Sequence, residues 1–174
     1  MEKKILRKQI ASVKNSYSQS QLIELSTPII NKIQKNPKFL SSRYVLLYHS
    51  LPDEVYTHDL INKCLSSKTV LLPIVNKDIL QIREYRSIND TEIGSYGIVE
   101  PQGKEFTDYS LIDLAIVPGV AFDKNHNRLG RGKGFYDKFL STVNCYKIGI
   151  CFPFQILDSI PTDNHDIKMD EIIY

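Results

Sequence analysis

Apolar positions in the first forty residues recur at helical spacing. In KKILRKQIASV, Leu6, Ile10 and Val13 lie four and three residues apart, the stripe of an amphipathic helix. QSQLIELSTPIINKIQ repeats the pattern with Leu22, Leu25, Ile29 and Ile33, and Pro28 inside it is expected to kink or split the helix. The texture then changes. RYVLLYHS is a short apolar run suited to a buried strand, and THDLINKCLSS follows it with a threonine cap and helical spacing. KTVLLPIV and ILQIREY read as two strands joined by the turn NKD, a candidate hairpin. TEIGSYGIVEPQGKEFTDYS, with three glycines, a proline and little periodicity, reads as a loop. LIDLAIVPG returns to a strand apolar on both faces, GFYDKFLSTV to a helix, and YKIGICF to a final core strand. Strands alternating with helices, the strands apolar throughout, imply an α/β layered sheet with helices on both faces.

The 174 residues fit one domain with a real core. Lysine and arginine number 22 against 20 aspartates and glutamates, so any anion site must be local rather than the strong basic excess of a nucleic-acid protein. Cys64, Cys145 and Cys151 form no C-x-x-C pair and are odd in number, which predicts reduced core residues instead of disulfides or a zinc site. The N-terminus MEKKILRKQI has no apolar signal-peptide core, and no apolar run approaches the roughly 20 residues of a membrane span. A cytoplasmic protein with no membrane partner is expected.

RLGRGKGFYDKFL, residues 128–140, lies between the core strand expected over 111–117 and a helix beginning near Gly134 or Phe135. That is the carboxyl end of a strand, where open α/β sheets place ligands. Gly130, Gly132 and Gly134 allow consecutive amide N–H groups to converge on an anion, and the helix N-terminus adds partial positive charge. Arg128, Arg131 and Lys133 add full charges suited to a polyphosphate. The segment matches neither the Walker pattern, since Gly134 follows Lys133, nor the dinucleotide fingerprint. A basic turn whose glycines merely fit a strand-to-helix junction is the competing reading. Asp137, one turn into the helix, could hold a Mg²⁺ that bridges phosphates, or could simply favour the helix dipole.

VPGVAFDKNHNRLGRGKGFYDKFL closely resembles the signature of the 5-formyltetrahydrofolate cyclo-ligase family, also called 5,10-methenyltetrahydrofolate synthetases. KKILRKQI resembles its N-terminal K-x-x-x-R, SLPDEVYT its acidic segment after the first strand, GSYGIVEP its G-x-x-G-I-x-E-P, and NHDIKMDEIIY its C-terminal H-D motif. The likeness runs essentially from residue 1 to 174 and implies a single three-layer α/β/α domain with a mostly parallel, Rossmann-like sheet. It also implies an ATP- and Mg²⁺-dependent ring closure of 5-formyltetrahydrofolate by a monomer without nucleic-acid partners.

Carried over by position, the resemblance assigns Lys3, Lys4 and Arg7 to ATP, together with the loop Arg128, Leu129, Gly130, Arg131, Gly132, Lys133, Gly134, Phe135 and Tyr136. Lys3 and Arg7, four apart, share one helix face. Arg131, Gly132, Lys133, Gly134 and Phe135 would also touch the folate, with Arg131 and Lys133 as the catalytic cations. Glu54 would accept from the pterin NH and NH₂ donors, His49 would line the same pocket, and Asp137 and Asp166 would serve the metal. For Phe135 and Tyr136, core packing is the commoner fate of aromatics, and His126 in DKNHN reads as a turn residue. Many bacterial members of the family carry tyrosine and glycine where this chain has Arg131 and Lys133. Two rival functions keep the same elements: an RNA- or phosphoprotein-binding module, and a sugar-phosphate isomerase or acyl-CoA transferase on a similar fold.

Overall fold

The computed structural model describes residues 2–94 and 97–174. Its centre is a six-stranded sheet. Strand β1 (Tyr44–Leu46) lies in the middle, with β2 (Thr69–Asn76) and β3 (Ile79–Tyr85) on one side. On the other side follow β6 (Leu114–Pro118), β9 (Tyr146–Ile150) and β11 (Glu171–Ile173), giving the order β11-β9-β6-β1-β2-β3. All pairs are parallel except the expected β2–β3 hairpin. The strand order reverses at β1: the chain first adds β2 beside it and later returns to lay β6 on its other edge. That switch point opens a crevice at the carboxyl ends of β1 and β6.

Alternate strand residues are buried on opposite faces, as the apolar runs predict. Val45, Val70, Leu72, Leu114 and Ile116 pack under α2 (Gln19–Lys35) and α4 (His58–Cys64). Leu46, Leu71, Ala115 and Val117 face the other way, toward Phe139 and Leu140 of the short α5 (Phe135–Leu140). Phe122 joins this second face from β7 (Ala121–Asp123), which pairs with β8 (Arg128–Leu129) and β10 (Ile156–Leu157) in a small separate sheet. The turn between β7 and β8 is tied by buried Asp123, whose Oδ1 accepts from the amides of Asn125 and Asn127 while Oδ2 accepts from Ile160 N. His126 occupies that turn at φ 64°, as its sequence context predicts.

Five local expectations need correction. Helix α1 (Lys3–Lys14) does not bury Val13, which is 39% exposed. It packs on the small sheet through Leu6 and Ile10, and the next residue of that four-residue row is Lys14, whose aliphatic stem is buried while its ammonium pairs with Asp53. Pro28 does not split α2: Pro28 and Glu24, whose carbonyl loses its partner, are both exposed, so water can satisfy the free oxygen. Thr57 precedes α4 but makes no capping bond. Its hydroxyl instead donates to Tyr48 O and accepts from Ser50 N, fastening the segment after β1. The expected loop over 91–110 contains a hairpin, β4 (Thr91–Ile93) with β5 (Val99–Pro101), although Ser95 and Tyr96 of its GSYG stretch fall outside the described residues. The strand expected over 111–117 begins only at Leu114, and Leu111 ends a 3₁₀ turn, Tyr109–Leu111.

The Phe122 ring lies against two backbones without side chains. A Cβ built on Gly149 would stand 2.4 Å from the ring, and one on Gly119 2.6 Å from it. Gly149→Ala should therefore lower stability by about 1–3 kcal/mol through overpacking, seen as a lower urea midpoint at unchanged m-value. Combined with Phe122→Leu, the loss should be smaller than the sum of the two single losses, because the shorter side chain makes room for the methyl.

Candidate active site

The glycine-rich segment leaves β8 and enters α5 through backbone that only glycine adopts easily: φ is 107° at Gly132 and 69° at Gly134, the residue that precedes the helix. Arg128 and Asp137 pin its two ends. The Arg128 side chain is 4% exposed; Nη2 donates to Asp137 Oδ2 at 2.8 Å, Nη1 to Pro118 O at 3.3 Å, and the guanidinium lies 5.5 Å from the Tyr136 ring centre. The second Asp137 oxygen accepts from Ile167 N. Leu129 is buried against α1, and Phe135 and Tyr136 are half-buried against the second core face.

Helix α1 lies across this loop. Arg7 Nε donates to Gly130 O at 2.8 Å, and a Cβ built on Gly132 would stand 3.5 Å from its guanidinium. One turn earlier, Lys3 Nζ reaches Asp163 at 2.6 Å and Asp166 at 2.5 Å. Burial opposes the charge on Asp166, but hydrogen bonds from Lys3 and from Asp163 N outweigh it and hold that carboxyl below the usual range. The structure thus brings Lys3, Arg7, the glycine loop, Asp137 and Asp166 to one place. Lys4 stands apart on an exposed face of the helix, and Lys133 is exposed on the loop.

The other half of the site comes from the segment after β1. Arg131 Nη2 donates to both Asp53 oxygens, at 2.8 and 3.1 Å, and to Glu54 Oε1 at 3.0 Å; its Nε also reaches Glu54 Oε1 at 3.3 Å. Glu54 Oε2 accepts from Leu51 N. Behind Asp53 stands Lys14, 3.2 Å away. Burial raises the Asp53 pKa, but Lys14 and Arg131 together bring it below the usual carboxylate range. Tyr48 and Tyr136 beside this set are pushed well up, by burial first and by the Glu54 charge second.

Two clefts meet at this charged set. One, of about 170 Å³, is lined by Arg7, Lys14, Asp53, Val120 and Arg131 and is rich in cations. The other, of about 260 Å³, is lined by His49, Glu54, Tyr56, His58 and by Ile98 and Val99 of the hairpin. The Arg131–Glu54 pair forms the wall between them. The His49 and His58 rings stack with centroids 3.7 Å apart, and His58 Nε2 lies 3.0 Å from Ser50 O, which requires an N–H at that nitrogen. All three thiols are buried, and burial raises Cys64 to about 11 and Cys151 to about 12, which keeps them protonated.

Sequence reasoning passed over Asp53, Lys14, Tyr48, Asp163, His58 and the hairpin. Asp53 was visible as the acid beside Glu54 in SLPDEVYT. Lys14 was hidden because a lysine at the end of a helical stripe ordinarily reads as solvated. Burial and then the neighbouring His58 charge depress His49 to about 4. Since the unfolded histidine titrates near 6.5, only the unfolded chain takes up this proton between those values, so stability falls as pH drops through that window. Urea midpoints measured from pH 7 to pH 4 should show that fall, and His49→Gln should flatten it.

The profile of the 5-formyltetrahydrofolate cyclo-ligase family matches residues 1–174. A probable 5-formyltetrahydrofolate cyclo-ligase of Schizosaccharomyces pombe is 34% identical over 85% of this chain and 82% of its own length. The mouse 5-formyltetrahydrofolate cyclo-ligase is 29% identical over 99% of this chain and 93% of its own. Among solved structures, the Aquifex aeolicus 5,10-methenyltetrahydrofolate synthetase superposes with a TM-score of 0.89 at 33% identity, covering 99% of this chain and 89% of that one. The Mycoplasma pneumoniae 5,10-methenyltetrahydrofolate synthetase gives 0.80 at 26% identity, covering 99% and 98%. With its mostly parallel α/β fold and a family match over its full length, the chain belongs to the 5-formyltetrahydrofolate cyclo-ligase family of enzymes.

Proposed function

We propose that this chain converts 5-formyltetrahydrofolate to 5,10-methenyltetrahydrofolate in an ATP-dependent reaction, acting as a cytoplasmic monomer. The observation that carries the reading is the meeting of two unlike clefts at one arginine. The cationic cleft beside the glycine loop suits a triphosphate, and the His49–Glu54–Tyr56 cleft suits a flat heterocycle with hydrogen-bond donors. Arg131 lies between them, where a formyl oxygen and a γ-phosphate would meet. In the reaction the formyl oxygen attacks the γ-phosphorus and ADP leaves. N10 then adds to the activated carbon and loses its proton, and departure of inorganic phosphate completes the amidinium ring. Such chemistry rests on positioning and charge neutralisation, which accords with the lack of a nucleophilic cysteine in the site.

Arg131 and Lys133 would neutralise the transferred phosphoryl group, Lys3 and Arg7 would hold the nucleotide from α1, and the Gly130–Gly132 backbone would approach it closely. Glu54 would take the pterin donors, with His49 beside it. No group of three or more histidine, cysteine, aspartate or glutamate side chains gathers among the described residues. This fits Mg²⁺, which commonly uses one or two carboxylates plus phosphate oxygens rather than an all-protein cage. Asp137 engages both its oxygens within the protein, whereas Asp166 makes its contacts through Oδ2, so Asp166 is the readier ligand and Asp137 its support. Bound there, Mg²⁺ would neutralise phosphate charge. The RNA-binding and acyl-transfer alternatives lose support to the family membership, and neither needs ATP beside a folate.

Absorbance of the methenyl product, followed with ATP, Mg²⁺ and 5-formyltetrahydrofolate and with each omitted in turn, tests the proposal: product should require all three. Lys133→Ala should lower kcat about a hundredfold or more with a smaller change in folate KM. Glu54→Ala should raise folate KM about ten- to a hundredfold, as expected for losing a pair of charge-assisted hydrogen bonds. Product formed without ATP, or equal losses of kcat and KM in both variants, would overturn these roles.

A further inference from the structure

Glu54 is already occupied. A carboxylate has about four acceptor sites; Arg131 Nε and Nη2 both donate to Oε1, and Leu51 N donates to Oε2. One site remains, whereas an adjacent NH and NH₂ on a pterin edge require two. Arg131 therefore competes with the heterocycle for the acid that would recognise it. The arginine has another anchor in Asp53, which receives Nη2 on both oxygens and is itself held by Lys14. Arg131 is 51% exposed and sits between Gly130 and Gly132, where the backbone offers little resistance to a swing.

Resting on the function proposed above, we infer that Glu54 exchanges partners between the two substrates, with Asp53 as the residue that positions Arg131. In the free protein Arg131 bridges Asp53 and Glu54. A nucleotide triphosphate in the adjoining cationic cleft draws the guanidinium toward its phosphates, since a polyphosphate offers more negative charge than two carboxylates, one of which Lys14 already pairs. Glu54 then loses its two strongest donors and accepts the pterin pair in their place. Binding of either substrate breaks the same bridge, so each raises the affinity of the other by the same factor.

The dissociation constant of 5-formyltetrahydrofolate, measured by calorimetry with and without a non-hydrolysable ATP analogue and Mg²⁺, reads this exchange. The analogue should tighten folate binding in the wild type by a factor in the range of about 5–150 typical of coupled sites. Arg131→Gln should bind folate more tightly than wild type in the absence of nucleotide, and its coupling factor should fall to about one. Asp53→Asn, isosteric with the native residue, should reduce the factor. A wild-type factor of one, or an Arg131→Gln factor equal to wild type, overturns the exchange while leaving the folate reading intact. Wild-type protein that binds no folate in either state overturns both.

Discussion

The buried pair of Arg128 and Asp137 is the contact on which the site depends. It joins β8 of the small sheet to the first turn of α5, so the glycine segment is a loop clamped at both ends rather than a free tether. Its influence continues outward: Asp137 accepts from Ile167 N, the adjacent Asp166 binds Lys3, and Lys3 begins the helix that carries Arg7 back to Gly130. A closed circuit of polar contacts thus surrounds the loop. Removing one partner of such a buried pair leaves an uncompensated charge, at a cost of about 3–5 kcal/mol, so the circuit is more sensitive to loss of a member than to the worth of any one bond.

Sheet topology explains why these groups meet at all. The chain leaves β1 toward β2 and returns to β6 on the other edge, so the segments that follow β1 and β6 diverge and leave space between them. The segment after β1 contributes acids and histidines; the segments after β6 contribute cations on a glycine scaffold. The ion pairs of Arg131 span the gap. Thr57 stiffens the first segment through Tyr48 and Ser50, while Phe122, pressed on Gly119 and Gly149, stiffens the base of the second. Rigid floors under an exposed arginine keep the mobility local to the residue that bears the charge.

The central sheet and its main helices were legible because their signal is local: β2, β6 and β9 are continuous apolar runs, and α2 carries a clean stripe closed at its start by the Ser18–Gln21 capping box. The glycine segment, Lys3, Arg7 and Glu54 stand out as motifs, and the structure brings them near one another. What escaped depends on contacts distant in sequence. Nothing near Lys14 announces that its ammonium will face Asp53, 39 residues away, and the short strands β7, β8 and β10 are held by Asp123 and Ile160 rather than by periodicity. Thr57 misled in the opposite sense, since a hydroxyl before a helix ordinarily caps it, and here a tertiary carbonyl claimed the hydroxyl instead. The β4–β5 hairpin escaped because its strands are three residues each, below the length at which alternation can be read.

Helix α1 rests on the small sheet rather than on the large one, through Leu6 and Ile10 against Ala121, Leu129 and Ile160. Because β8 feeds directly into the glycine segment, the helix and that sheet are tied to the loop both by this packing and by the Arg7–Gly130 hydrogen bond. The cations of α1 and those of the loop therefore stand on one support, while Asp53 and Glu54 follow β1 of the central sheet. The two halves of the candidate site are thus built on different sheets, and the span between them is the length of one arginine side chain.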